Sequence, residues 1–233
     1  MPAEEQDNLQ DLEARIGYRF ADLSLLEQSL THSSYANERA SDVRTSDYER
    51  LEYLGDAVLE LVVSDFLFRR FSELPEGVLT RHRAVLVCED ALYNCAKTFD
   101  LPRDIRLGRG EVVTGGREKK SIVSDVVEAL IGALYLDGGM PQASAFIHRF
   151  VLADVDAKLS EEDDYKSRLQ EYVQRAGREE LTYRLVHEEG PEHAKVFTTA
   201  AYLGGRFLAE GTGKNKKASQ QEAAKAALKV LCI

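Results

Sequence analysis

Tyr48-Glu-Arg-Leu-Glu-Tyr-Leu-Gly-Asp-Ala-Val-Leu59 is the stretch on which the reading of this chain turns. Apolar residues fall at Leu51, Leu54, Val58, Leu61 and Val62, the spacing of one helix face. Glu49, Glu52 and Asp56 lie at i, i+3 and i+7 and share another face. Asp56 is followed by Ala-Val-Leu-Glu-Leu-Val-Val, so the helix that carries it is expected to be largely buried. A carboxylate in such a place is costly unless it is protonated, paired or bound to a metal.

A second stretch repeats the pattern. In Ser121-Ile-Val-Ser-Asp-Val-Val-Glu-Ala-Leu-Ile-Gly132, apolar residues occupy nearly every side of a helix, yet Asp125 and Glu128 sit at i, i+3. Gly132, seven residues after Asp125, is expected to leave space beside them. Acidic residues three apart are usually just a solvated helix face, and Glu60 reads that way or as an ion-paired residue. That explanation weakens where the flanks are apolar all round. Two buried helices with inward carboxylates and no matching Lys or Arg need a cation between them. All-oxygen ligation suits Mg²⁺, with Mn²⁺ as a substitute, and not zinc. Such a site can activate water on a phosphodiester and stabilise the leaving oxygen.

Around these motifs, helical periodicity runs from about Leu9 to Glu73, is interrupted at Pro75-Glu-Gly77, and resumes through Leu79–Ala96. A glycine-rich stretch covers Leu107–Lys120. The next helix, from Ser121, stops at Asp137-Gly-Gly139, and Pro141 starts another toward Leu159. No strand alternation appears before about residue 180. Residues 1–159 therefore read as an all-α domain. Residues 160–164, Ser-Glu-Glu-Asp-Asp, form a short acidic linker. In 165–233 the period changes. Tyr165–Gln174 is an amphipathic helix, Thr182–His187, Lys195–Leu203 and Arg206–Ala209 read as strands, and Ala218–Leu231 closes as a helix. The order α-β-β-β-α is a small α+β domain.

Net charge is −10 over 233 residues, which argues superficially against a nucleic-acid partner. Its distribution says more: residues 161–233 carry 12 basic and 12 acidic side chains, so the whole excess of acid precedes them. The N-terminal MPAEEQDNLQ reads as neither a secretory signal nor a transit peptide, and no apolar run could span a bilayer, so no membrane role and a cytoplasmic location are expected. Cys88, Cys95 and Cys232 form no CxxC pair, and are expected to be reduced and mostly buried thiols.

The neutral part has a basic cluster of its own. Gly211-Thr-Gly-Lys-Asn-Lys-Lys217 leads directly into the last helix. Free backbone N–H groups, the helix dipole and Lys214, Lys216 and Lys217 all favour phosphate there, and Asn215 suits the cap. A lone run of lysines is more often a solvated charge cluster. Here it accompanies Gln170 and Gln174 at i, i+4 and a Gly190-Pro-Glu-His193 turn.

These features carry a specific resemblance. Glu49–Leu59 looks like the signature of the ribonuclease III family, with Tyr53 where the family usually has Phe. Ser124–Gly132 resembles the family's second acidic motif, and Leu30-Thr-His-Ser-Ser-Tyr35 another of its segments. Residues from Tyr165 onward resemble the double-stranded RNA-binding domain. The likeness implies an endoribonuclease that cuts double-stranded RNA, including rRNA and mRNA precursors, and leaves 5′-phosphate and 3′-hydroxyl ends with short 3′ overhangs. It makes Glu52, Asp56, Asp125 and Glu128 the magnesium site and catalytic set, with Asp56 and Glu128 most directly catalytic. Glu49 and Glu76 fall on accessory acidic positions. Gln170, Gln174, His193, Lys214, Lys216 and Lys217 become the RNA contacts, spanning two minor grooves and the major groove between them. A duplex has two strands, so the resemblance also implies a two-fold homodimer, in which the ring at Tyr53 inserts into the partner. Asn215 stands where that family more often has Ser, and Ala218 where many members carry Lys.

Other signals fare less well. Gly110-Glu-Val-Val-Thr-Gly-Gly-Arg117 lacks the Lys-Ser/Thr pair of a P-loop. Its glycines with Arg117, Lys119 and Lys120 suit either contact with an RNA backbone or a plain surface loop. His32, His82, His148 and His187 carry no functional assignment. A catalytically dead RNA-binding protein is one rival reading, disfavoured because all four proposed ligands are present. A hydrolase of small phosphate esters is another, and it leaves the second domain without a task.

Overall fold

The computed structural model describes residues 3–38, 46–160, 165–175, 177, 180–191 and 195–231. Met1–Leu159 and Ser160–Ile233 form separate compact units. The expected linker at 160–164 lies, apart from Ser160, outside the described residues, as do His193 and Cys232.

The first unit is helical: α1 (Ala3–Ile16), α2 (Leu23–Ser29), α3 (Ser33–Glu38), α4 (Glu49–Arg70), α5 (Glu76–Val87), α6 (Glu89–Thr98), α7 (Arg109–Val113), α8 (Lys120–Phe146) and α9 (Val155–Ser160). Helix α4 has Glu49 and Glu52 in its first turn and Arg69 and Arg70 in its last, matching the helix dipole at both ends. Helix α8 is buried from Ile122 to Leu134 on almost every side. It breaks at Gly139, whose φ of 74° and ψ of −177° leave the helical region, two residues before Pro141.

The expected helix through Leu79–Ala96 is two helices. Cys88 is extended (φ −67°, ψ 159°) and separates α5 from α6. Glu89 and Asp90 explain the restart, since both favour the positive end of a new helix. Cys95 is buried, and burial pushes its thiol up to about 12. Cys88 is exposed, contrary to the expectation for the thiols. Before residue 180 the described residues hold one isolated bridge, Thr31 to Arg106. The glycine-rich stretch is more ordered than a plain loop: it contains α7 and a 3-10 turn at Gly116–Glu118.

Helices α4 and α8 form the centre of this unit. Their backbones touch at two glycines. A Cβ on Gly55 would lie 1.7 Å from the carbonyl oxygen of Glu128, and one on Gly132 would lie 2.2 Å from that of Leu51. The space expected beside Gly132 is therefore filled by the neighbouring helix.

The second unit has α10 (Tyr165–Arg175), the antiparallel sheet β1 (Leu181–Glu189), β2 (Val196–Leu203) and β3 (Arg206–Gly213), and α11 (Lys216–Val230). Leu169 and Val173 of α10, Ala201, Leu203 and Leu208 of the sheet, and Ala223, Ala224, Ala227 and Leu228 of α11 make its core. Strand β3 runs further than expected, so Gly211–Gly213 belong to the sheet and not to a loop. Gly211 is required there, because a Cβ would meet the Ala223 nitrogen at 2.1 Å. Among the described residues no helix is long and apolar enough to cross a membrane.

Candidate functional site

The close crossing of α4 and α8 positions the acidic side chains. Glu52 lies one residue from Leu51 and Glu128 is the residue whose carbonyl abuts Gly55, so both sit at the crossing. One carboxylate oxygen from each of Glu52, Asp125 and Glu128 lies within 4.8 Å of the others, and all three residues are half-buried.

The electrostatics are those of crowded like charges. Burial raises the Glu128 pKa first, then Asp56, Asp125, Glu52 and Glu60 add to it, and together they push it up to about 8. None of these contributions is offset by a cation. Glu52 is also raised, by burial and then by Asp125, Glu49 and Asp56. Asp125 is raised by burial and by Glu89, against the opposing effects of His32 and a hydrogen bond with Tyr48. Three converging carboxylates with uncompensated charge fit a hard divalent cation held by oxygen ligands. They do not resemble a self-sufficient ion-pair network.

Asp56 departs from expectation. It is exposed and is not one of the three converging residues. The physical reason is its place on α4, which buries Leu51, Gly55, Val58, Leu59 and Val62 and leaves Tyr53, Asp56 and Ala57 exposed. Its charge still reaches the cluster, as the second-largest cause of the Glu128 shift. Glu49 is exposed and acts on Glu52 through charge. Glu76 is exposed at the start of α5, accepts a hydrogen bond from Thr80 Oγ1 at 2.8 Å, and is absent from the groups that shift the three carboxylates. Within one chain it is not brought to the site. Glu60 is paired with Arg83 at 3.7 Å.

Two neighbours escaped the sequence reading. Tyr48 is buried beside the cluster, where burial and then the charges of Asp125, Glu52 and Glu49 raise its pKa, and His32 lies close enough to Asp125 to lower the Asp125 pKa. Their only sequence signals were adjacency to Glu49 and the motif around Thr31. Neither reveals a contact with α8.

On the second unit, Gln170 and Gln174 are exposed on α10, opposite the buried Leu169 and Val173. Lys214, Lys216 and Lys217 are exposed at the start of α11. Asn215 caps that helix, its Oδ1 accepting the Ala218 N–H at 2.8 Å. In the glycine-rich stretch Arg117 is exposed, Lys119 is paired with Glu111, and Lys120 with Asp90 at 2.5 Å.

Comparison with known proteins matches both units. A family profile described as ribonuclease-III-like covers residues 22–155, and the double-stranded RNA binding motif covers residues 165–231. Ribonuclease 3 of Enterococcus faecalis is 48% identical over 220 residues, 94% of this chain and 95% of that protein. Ribonuclease 3 of Symbiobacterium thermophilum is 46% identical over 215 residues, 91% of this chain and 90% of that protein. A solved nuclease domain of ribonuclease III from Campylobacter jejuni, described as having a region involved in dimer formation, superposes with a TM-score of 0.57 at 39% identity, covering 61% of this chain and 95% of that one.

Proposed function

The chain belongs to the ribonuclease III family, endoribonucleases here joined to a double-stranded RNA-binding motif, and on that premise we propose that Glu52, Asp125 and Glu128, with Asp56 at their rim, form a magnesium site that hydrolyses phosphodiesters of duplex RNA. The observation that carries this reading is the convergence of three carboxylates from two helices within 4.8 Å. Mn²⁺ meets the same ligand requirements. When bound, the cation supplies a Lewis acid that lowers the pKa of water and neutralises charge on the phosphate.

The side chains do the rest. Glu128, held near pH 8 without a cation, must release its proton before it can ligate. Asp56, exposed beside the cluster, is free to face the substrate. Attack in line at phosphorus, with the bond to the 3′-oxygen breaking, yields 5′-phosphate and 3′-hydroxyl ends. Short 3′ overhangs follow if two such sites act across one duplex. Glu49 and Glu76 remain accessory acids in this reading, Glu76 being able to join a site only from another chain.

Two sites require two copies of the chain. Tyr53 is 83% exposed, Leu61 58% and Phe68 71%, an apolar face on α4 that suits a two-fold contact. On the same side a pocket between α4 and α5 is lined by Leu61, Phe68, Leu79, Ser64, Thr80 and Arg83. Its apolar walls and polar groups match a tyrosine ring and its hydroxyl. RNA contacts fall to Gln170, Gln174, His193, Lys214, Lys216 and Lys217, which read the shape of an A-form duplex. Processing of rRNA and mRNA precursors in the cytoplasm belongs to the same reading.

The test is Glu128→Gln of the full chain, assayed with Mg²⁺ on long duplex RNA. Binding should persist while cleavage falls by about a hundred- to a thousandfold, the scale of losing a group that stabilises the transition state. Full activity would refute the site. A wild-type chain that binds duplex RNA without cutting it would make this a binding protein instead.

A further inference from the structure

Beneath the lysine turn of the second unit, two hydroxyls are sealed from water. Thr199 on β2 is 2% exposed and Ser219 on α11 is 0% exposed. Their side-chain oxygens lie 2.7 Å apart, and Ser219 Oγ donates to the Lys216 carbonyl at 3.0 Å. A hydroxyl has a single proton to donate. Ser219 gives its own to the carbonyl, so the proton between the two oxygens comes from Thr199. The bonds therefore run one way, from Thr199 through Ser219 to the backbone of Lys216, the first residue of α11. Strand β2 is the middle strand, paired on both edges, so this relay ties the start of the helix to the centre of the sheet.

The strand that leads into the turn meets the same serine. A Cβ on Gly213 would lie 2.5 Å from the Ser219 nitrogen, and that nitrogen donates to the Asn215 carbonyl at 3.0 Å. The backbone on both sides of Lys214 thus bears on Ser219, while Lys214, Lys216 and Lys217 are exposed. Asn215 is exposed as well, so water competes for its capping bond. Water does not reach the two hydroxyls. Apolar side chains of the same shape could fill their space at little cost in stability. They could not hold a carbonyl in one direction. Backbone fixed before the ligand arrives lowers the ordering cost of binding.

We propose that the hydroxyls of Thr199 and Ser219 position the lysine turn for the phosphates of duplex RNA, by anchoring the first carbonyl of α11 to the sheet. This role rests on the reading of Lys214, Lys216 and Lys217 as RNA contacts. Thr199 and Ser219 are too deeply buried to touch RNA, so they act through the backbone that carries the lysines.

The experiment measures duplex RNA affinity of the full chain in a chelator. Thr199→Val removes the first donor and leaves Ser219 bonded to Lys216, so no buried donor is orphaned. Affinity should fall about three- to tenfold, the equivalent of one hydrogen bond. Thr199→Ser keeps the hydroxyl and loses a methyl, so its Tm should drop below that of the wild type while its affinity stays close to wild type. Affinity that simply follows Tm across the two variants is the mark of a structural role and overturns the proposal, as does wild-type affinity in Thr199→Val. If Thr199→Val does not fold, Ser219→Ala breaks the same relay at its centre, and unchanged affinity there overturns the proposal. With Lys214, Lys216 and Lys217 all replaced by Ala, Thr199→Val should have no further effect, because it acts through them. An equal loss in that background places its action elsewhere and overturns the role. If the triple lysine variant binds duplex RNA as the wild type does, the reading of the lysines as contacts fails. If it binds weakly while Thr199→Val does not, only the positioning role fails.

Discussion

Glu128 is where the local chemistry is most tightly constrained. A carboxyl near 8 in the folded chain, against about 4.3 when unfolded, binds more protons folded than unfolded between those values. The contribution of Glu128 to the stability of the metal-free protein is therefore fully present below the unfolded value and is lost as pH climbs through about 8. A bound cation reverses that cost by making the ionised form the useful one. The Glu128→Gln variant removes the buried charge, so its metal-free Tm should rise above wild type at pH 8 and approach it at pH 5. Each kcal/mol of relief moves Tm by about 2–4 °C in a chain of this size, and solvent access to the half-buried site keeps the gain modest. Thermal scans in a chelator at both pH values decide the matter, and parallel wild-type and variant profiles would count against it. Glu52 and Asp125 are shifted in the same direction and should respond less, since Asp125 has His32 and Tyr48 to offset its neighbours.

At the level of elements, the site exists because α4 and α8 approach more closely than side chains normally permit. Gly132→Ala would place a methyl 2.2 Å from the Leu51 carbonyl oxygen, and neither backbone can yield without separating the helices. The change should destabilise the protein by about 1–3 kcal/mol, the usual cost of overpacking, despite the better helix propensity of alanine. Urea unfolding measures this, and a more stable variant would contradict the packing account. The acidic pairs at i, i+3 were legible from spacing alone. The task of Gly132 was not: spacing shows a missing side chain but not the carbonyl that occupies its place. Asp56 illustrates the same gap. Its apolar flanks suggested burial, yet one face of α4 stays exposed, with Tyr53 and Phe68 on it.

Across the whole molecule, charge is divided between two tasks. The excess of acid lies before residue 161, while the lysines that could reach phosphate sit exposed at the start of α11. Replacing Lys214, Lys216 and Lys217 together by Ala should weaken duplex binding at low salt and reduce the slope of log affinity against log salt by up to about 3, roughly one per lost phosphate contact. An unchanged slope would remove these lysines from the interface. Assembly gives a separate test. Phe68→Glu puts a charge in the exposed face of α4, so if the proposed two-fold contact is there, sedimentation should find monomers in place of the dimers that reading expects of the wild type, with cleavage of duplex RNA sharply reduced. A variant that remains dimeric would place the interface elsewhere.

The sequence by itself determined the kind of each main element, the change from helical to mixed periodicity, and the spacing of the acidic pairs along α4 and α8. These are local properties, written in which residues are apolar and how often they recur. Only the tertiary structure decided that Glu52, Asp125 and Glu128 converge while Asp56 stays at the rim, that Gly55 and Gly132 are points of contact, and that Tyr48 and His32 lie where their environment and charge bear on Asp125. Periodicity gives the face of a helix. The distance between groups on two helices depends on how and where they cross, and here that is set by carbonyl oxygens packed against glycines.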